Sequence, residues 1–394
     1  MTRLWDKGAP LDERVLEFTA GEDYALDERL VAYDVRASIA HAGMLKAQGL
    51  LSTADFEALR GALEALAEAH ARGAWRIALA DEDGQSALEQ RLSERLGALG
   101  GRIHLGRSRN DQVLTALRLY LKDALGEIEA GALRVAAALD ALAARQGSVA
   151  LPGYTHMQQA MPSSVALWAG GFAAELRDDA EGLRSALRRV DKNPLGSAAG
   201  YGAPGLPLDR ENTTHALGFA STHEPVTAVQ LSRGKAESGV LFECTLLMQD
   251  LGRLAADVLL FYTQEFAYIE ISEAFTTGSS IMPQKRNPDV FELLRGRSAV
   301  ALAALTEALG LFAKLPSGYQ RDLQLLKAPL FRGIDQALQS LDITAAALAA
   351  LAFRPERIRM DPALQAAEEA YALVISEGIP FREAYRRIAE RYKK

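Results

Sequence analysis

The sequence has little of what staples or interrupts a fold. Its 394 residues include one cysteine, Cys244, so no disulfide can close within the chain and no Cys-rich metal site can form. Cys244, close to Phe242 and Leu246, reads as a small core residue. Proline is missing from two long tracts, between Pro10 and Pro152 and between Pro225 and Pro283. Proline breaks helices and central strands, so these tracts permit very long uninterrupted elements. No Val/Ile-rich run bounded by turn residues suggests a parallel sheet. No stretch of 18 apolar residues reads as a membrane span, and Met1-Thr2-Arg3-Leu4-Trp5-Asp6-Lys7 lacks the apolar segment of a signal peptide. Bases are outnumbered, 44 against 51 acids for a net charge of −7, which argues against an extended nucleic-acid surface. These absences lead us to expect a protein of a reducing cytoplasm, with neither membrane nor nucleic acid as partner.

What is present is alanine, leucine and a helical period. Apolar residues make up 49% of the chain and charged residues 24%, an ordinary globular mixture. Long helices are expected over 27–48, 52–72, 109–145, 163–190, 235–269, 289–314 and 321–352, the last kinked at Pro329. Ser52 with Asp55 resembles a capping box. In 109–145, Val113, Leu117, Tyr120, Leu121, Ala124, Leu125 and Ile128 keep the i, i+3/i+4 spacing. The 235–269 segment is apolar nearly all round, as a helix buried in a core or an interface would be. A forty-residue helix reaches roughly 60 Å at about 1.5 Å per residue. We therefore expect an all-α fold, an elongated bundle of long central helices shared between subunits. The expected division is 1–107 as an N-terminal helical domain, 108–352 as the bundle and 353–394 as a short C-terminal helical domain.

The polar chemistry gathers in the connections, where a rigid scaffold commonly carries function. Ser108, Arg109 and Asn110 open the 109–145 helix, and a helix start with two nearby arginines favours an anionic ligand; the same residues also suit a plain N-cap. Thr155 and His156 lie in a dense polar segment, Pro152–Gln159, and His156 titrates near neutral pH unless perturbed. The most distinctive segment runs from Thr276 to Pro288. It sets hydroxyl, backbone N–H, ammonium and amide donors within a few residues, around Ser279, Lys285 and Asn287. Such a loop can wrap a carboxylate and stabilise charge developing on it. Tyr319, Gln324 and Lys327 form a weaker set after Pro316-Ser317-Gly318. No His/Asp/Glu spacing of a metal site occurs, and neither metal nor cofactor is expected.

Ser279-Ser280-Ile281-Met282-Pro283-Gln284-Lys285-Arg286-Asn287 resembles the signature loop of the fumarase/aspartase superfamily. Gly106–Gln112, Gly153–Gln158 and the spacing of Tyr319, Gln324 and Lys327 are similar to the argininosuccinate lyase family within it. Gln85 stands where that family usually has histidine, and no clean match to its N-terminal Asn-x-Ser segment occurs near Phe18–Tyr24. The resemblance implies an all-α homotetramer with composite active sites that splits argininosuccinate into arginine and fumarate, the last step of arginine biosynthesis. It implies His156, Ser279, Lys285 and Glu292 as catalytic residues, with His156 paired to Glu292. Ser108, Arg109, Asn110, Thr155, Asn287, Tyr319, Gln324 and Lys327 are implied as substrate contacts.

The implied chemistry is a β-elimination. A proton leaves the carbon beside a succinyl carboxylate, charge builds on that carboxylate, and the C–N bond to the guanidinium nitrogen breaks. Histidine with a carboxylate partner is the chemically natural base; a serine activated by Lys285 and loop dipoles is the other choice, and the sequence leaves the two open. Two competing readings share the fold: another fumarate-releasing lyase, of the adenylosuccinate lyase or aspartase type, and a catalytically silent crystallin-like structural protein.

Overall fold

A computed structural model describes residues 12–392; the Met1–Lys7 segment lies outside them. The molecule is mostly helical, with three two-stranded sheets. The expected long helices appear as Val31–Ala47, Thr53–Ala71, Arg109–Gln146, Val165–Val190, Lys235–Tyr262, Asp289–Phe312 and Lys327–Ala349. Arg109–Gln146 runs for 38 residues without a break. Ser52 caps the Thr53–Ala71 helix, its Oγ accepting the Asp55 N–H at 3.0 Å.

Several boundaries differ from expectation; the 27–48 helix, for one, begins at Val31 after a 3-10 turn over Asp27–Leu30. The apolar 235–269 segment leaves the helix at Tyr262 and re-enters regular structure as the strand Ile269–Ile271. Thr263 turns its hydroxyl back onto the Leu260 carbonyl at 2.8 Å, and Ala267 adopts φ +49°. The helix expected from 163 begins at Val165, because residues 163 and 164 close the strand Gln158–Ser164. Pro329 does not kink a helix: residues 321–326 are a 3-10 turn and the α-helix begins at Lys327. Pro329 thus sits in the first turn, where its missing N–H has no intrahelical partner to lose.

By packing, the chain forms two compact units, each assembled from three stretches: residues 1–127, 182–244 and 302–335, and residues 128–181, 245–301 and 336–394. The first contains a core in which Leu45, Leu59, Leu63, Leu66, Leu88 and Leu92 interlock the helices of the N-terminal third. The second is centred on aromatic side chains. Trp168 packs edge-on against Phe353 at 5.5 Å and donates its indole N–H to Asp257 at 2.9 Å. Strand Ile269–Ile271 pairs antiparallel with Leu351–Phe353 beside them.

Candidate active site

The first unit holds a charged pocket of about 100 Å³. It draws together Arg109 and Asn110 from the start of the 38-residue helix, and Tyr319, Gln324 and Lys327 from two hundred residues later, all five being expected substrate contacts. The local sequence explains their placement. Gly106, at φ +74°, turns the chain against Leu208, and the Arg109–Gln146 helix then begins. Ser108 is its cap: Ser108 Oγ accepts the Asn110 N–H at 3.3 Å, and Ser108 N–H donates to Asp111 Oδ1 at 2.9 Å. The other Asp111 oxygen accepts the N–H groups of Gly196 and Ala198 at 3.0 and 2.9 Å. Burial pushes Asp111 up to about 6 against those hydrogen bonds. Ser108 itself does not line the pocket. Gly318, at φ +83°, turns the chain just before Tyr319.

Lys327 is 1% exposed, and its ammonium lies 2.7 Å from Asp23 Oδ1 and 2.5 Å from Asp27 Oδ1. Burial alone would lower its pKa; the two carboxylates outweigh that and hold it charged. One ammonium cannot balance two buried carboxylates. Burial raises Asp23 to about 7, with Lys327 opposing and Asp27 adding to the rise. Arg109 pairs with Asp83 at 2.8 Å. Gln85, buried in the pocket wall, donates its amide N–H to Asp34 at 2.5 Å. Gln324 donates to the carbonyls of Thr19 and Ala20 at 3.0 and 3.3 Å, and Arg321 to that of Thr19 at 2.8 Å. Arg233 is 4% exposed and uses Nη2 on the Leu323 carbonyl at 3.3 Å, while its Nε and Nη1 have no partner. It is a buried cation with donors to spare.

Asp23, Asp83, Arg233 and Arg321 are pocket residues that the sequence reading missed. Asp83 and Arg321 lie beside residues the resemblance names, Gln85 and Tyr319, while Asp23 and Arg233 are charged residues with no motif around them. Asp23 falls where the expected N-terminal substrate segment had no match, so the gap in the pattern was itself the available signal.

The remaining candidates belong to the second unit. Thr155 and His156 are at the tip of an antiparallel hairpin, Ala150–Thr155 with Gln158–Ser164. His156 and Met157 both take positive φ, 53° and 61°, as a two-residue hairpin turn demands. The hairpin base is tied down: Tyr154 and Tyr268 share a hydroxyl contact at 3.2 Å, and Gln159 bridges the Arg359 carbonyl and the Asp361 N–H, both at 2.9 Å. A fixed base therefore presents an exposed histidine. The signature loop has the same design. Thr277 and Asn287 exchange two backbone hydrogen bonds at its neck, of 3.0 and 2.8 Å, and the Asn287 amide donates to the Gly278 carbonyl at 3.2 Å. Beyond the neck the loop is open: Ile281 is 82% exposed. Ser279 Oγ accepts the N–H groups of Met282 and Ile281 at 3.1 and 3.4 Å. Glu292 is exposed in the first turn of the Asp289–Phe312 helix. Among the described residues no hydrogen bond or ion pair joins it to His156 within one chain.

Comparison with known proteins shows the family and the fold. A protein-family model described as Lyase matches residues 9–302. The chain is 47% identical over 389 residues to the argininosuccinate lyase of Sorangium cellulosum (strain So ce56), covering 98% of this chain and 90% of that one. It is 43% identical over 390 residues to the argininosuccinate lyase of Xylella fastidiosa (strain Temecula1 / ATCC 700964), covering 98% and 87%. Among solved structures, an EDDS lyase variant with bound fumarate superposes with a TM-score of 0.82 at 24% identity, covering 97% of this chain and 76% of that one. The class II fumarase of Schistosoma mansoni gives 0.80 at 17% identity, covering 98% and 91%. These two establish the all-α fold of the fumarase/aspartase lyases. The near-full-length identity is narrower, and by it the chain belongs to the argininosuccinate lyase family.

Proposed function

We propose that this lyase cleaves argininosuccinate into arginine and fumarate by proton abstraction from the succinyl moiety, with Ser279 as base. The observation that carries the reading is the pocket itself. Arg109, Asn110, Tyr319, Gln324 and Lys327, expected together from separate segments, line one charged cavity. Its mixed charge suits a substrate bearing both carboxylates and a guanidinium. Arg233, with unused buried donors, holds a carboxylate; Asp83, whose Oδ2 pairs with Arg109 and whose Oδ1 accepts the Ser86 N–H, adds negative charge for cationic nitrogen.

Two backbone N–H groups directed at Ser279 Oγ favour its alkoxide, because hydrogen bonds to a charged form lower the cost of ionising it. Lys285, on the same loop, adds a positive charge. Ser279 takes the proton from the carbon next to the succinyl carboxylate. The loop's N–H groups, with Lys285 and Asn287, stabilise the charge that spreads onto that carboxylate, by roughly 3 kcal/mol per well-placed donor. The C–N bond then breaks and the leaving guanidino nitrogen takes a proton from His156, with Glu292 as the histidine's carboxylate partner. Ser108 holds the helix start that presents Arg109 and Asn110, and Thr155 contacts substrate beside His156.

The second unit's residues meet the pocket between chains, in a homotetramer whose site draws on three of them. Exposed apolar side chains on the long helices support this: Phe242 and Leu246 on one, Leu293, Leu302 and Leu309 on another. Among the described residues no helix is long and apolar enough to cross a membrane; we place the enzyme in the cytoplasm, in arginine biosynthesis.

The test mixes the protein with argininosuccinate and follows fumarate absorbance. Turnover that disappears in Ser279→Ala is expected. Fumarate released from adenylosuccinate or aspartate instead, or from nothing, would overturn the substrate. In His156→Asn the reading expects proton exchange at the substrate carbon to persist while C–N cleavage fails; loss of exchange would make His156 the base.

A further inference from the structure

A second cavity, about 630 Å³, opens in the first unit between the end of the Val165–Val190 helix and the start of Lys235–Tyr262. It shares no lining residue with the charged pocket. Four cations border it: Arg188, Arg189, Lys192 and Lys235. Among the described residues none of the four has an ion-pair partner. Asp191, next to Lys192 in the chain, is engaged by Lys122 at 2.5 Å, and Glu237, two residues after Lys235, is buried and acts on Arg118 behind the cleft. A molecule of net charge −7 thus gathers unneutralised positive charge in one concave place, and a cleft lined by one sign of charge focuses its field.

The wall behind the cations is built from neutral acceptors already in use. Buried Arg118 donates to the Lys192 carbonyl, to Ser232 Oγ and to His223 Nδ1, the last at 2.9 Å. Since Nδ1 accepts, the proton of the neutral His223 ring is on Nε2, a further donor on a lining residue. Burial, then Arg118 and Lys192, push His223 down to about 4, so the ring stays neutral at ordinary pH. Ala228, Leu231 and Ala236 complete the lining with apolar surface.

We propose that this cleft binds a small polyanion, one carrying two or more carboxylate or phosphate groups, at a site separate from the catalytic pocket. Its four unpaired cations, spread over two helix ends, match several negative groups on one molecule better than a single ion.

Calorimetry on the assembled enzyme at low salt tests this, with pyrophosphate and citrate as separate probes and with arginine, which carries no second anionic group, present or absent. One saturable event per chain is expected, undisturbed by arginine. Arg188→Gln combined with Lys192→Gln should weaken it at least tenfold and leave turnover without probe unchanged. Binding of pyrophosphate alone assigns the phosphate class, and of citrate alone the carboxylate class; both support the site. Amide exchange on the wild-type protein gives an answer independent of the variant: the probe should slow exchange across 185–192 and 228–236. No saturable binding, displacement by arginine, unchanged affinity in the double variant, or protection confined to other segments would overturn the proposal.

Discussion

A lysine ammonium with almost no exposure stays charged only through its carboxylates. Lys327 between Asp23 and Asp27 is such a group, at the wall of the pocket. Lys327→Met should destabilise the fold by roughly 3–5 kcal/mol, because two buried carboxylates lose their counter-charge. Denaturant unfolding measures it, and adding Asp27→Asn should recover part of the loss. Asp34 behind Gln85 gives a pH dependence. It is fully buried, with Oδ1 unpartnered, and burial pushes it up to about 7 from an ordinary 3.8. A carboxyl raised on folding binds its proton more tightly when folded, so its contribution is present below pH 4 and lost as pH rises towards 7. Asp34→Asn should remove that decline: unfolding curves of variant and wild type should diverge between pH 4 and 7, with the wild type losing more stability. Parallel curves would show that Asp34 titrates alike in both states. At this scale the sequence was legible wherever residues sat in a motif, as at Arg109-Asn110 or Tyr319…Lys327. It was silent for Asp23 and Arg233, whose places in the pocket come from partners distant in the chain and leave no local pattern.

The hairpin and loop proposed to carry the catalytic groups have fixed bases and free tips. The hairpin tip is filled by His156 and Met157 in a left-handed conformation. Asparagine tolerates that conformation well, so His156→Asn should keep the turn and report on chemistry alone. The signature loop is pinned at Thr277 and Asn287 and exposed between them. Few apolar anchors hold such a segment closed, and closing over substrate excludes water. Limited proteolysis should nick the loop within residues 278–286, and arginine plus fumarate together should slow that cleavage several-fold. Equal cleavage rates with and without the ligands would mean the loop does not close. The long helices were readable from alanine, leucine and the lack of proline. The strands at 150–155, 158–164 and 269–271 were not, since short pairs depend on a partner strand more than on composition. Pro329 misled for a related reason: proline marks a helix start as well as a break, and only the 3-10 turn before Lys327 shows which.

In the whole molecule the proposed chemistry needs groups from both packing units. The pocket belongs to one unit, while the His156 hairpin and the Ser279 loop belong to the other. Among the described residues no hydrogen bond or ion pair joins His156 to Glu292 within one chain. In the tetramer we propose, His156, Ser279 and the pocket at any one site come from three different chains. Leucine and phenylalanine on the exposed faces of the long helices would be the surfaces of that assembly. Such symmetric sharing of a site is available only to an oligomer.

Mixed reassembly tests this claim most directly. His156→Asn and Ser279→Ala proteins, each inactive, are unfolded together in equal amounts, refolded, and assayed for fumarate release from argininosuccinate. If His156 and Ser279 of a site come from different chains, random mixing leaves both intact in about one quarter of the sites. Activity should then return to about a quarter of refolded wild type, while each variant refolded alone stays inactive. Mixed tetramers that form and remain inactive would place both residues on one chain and contradict the composite site.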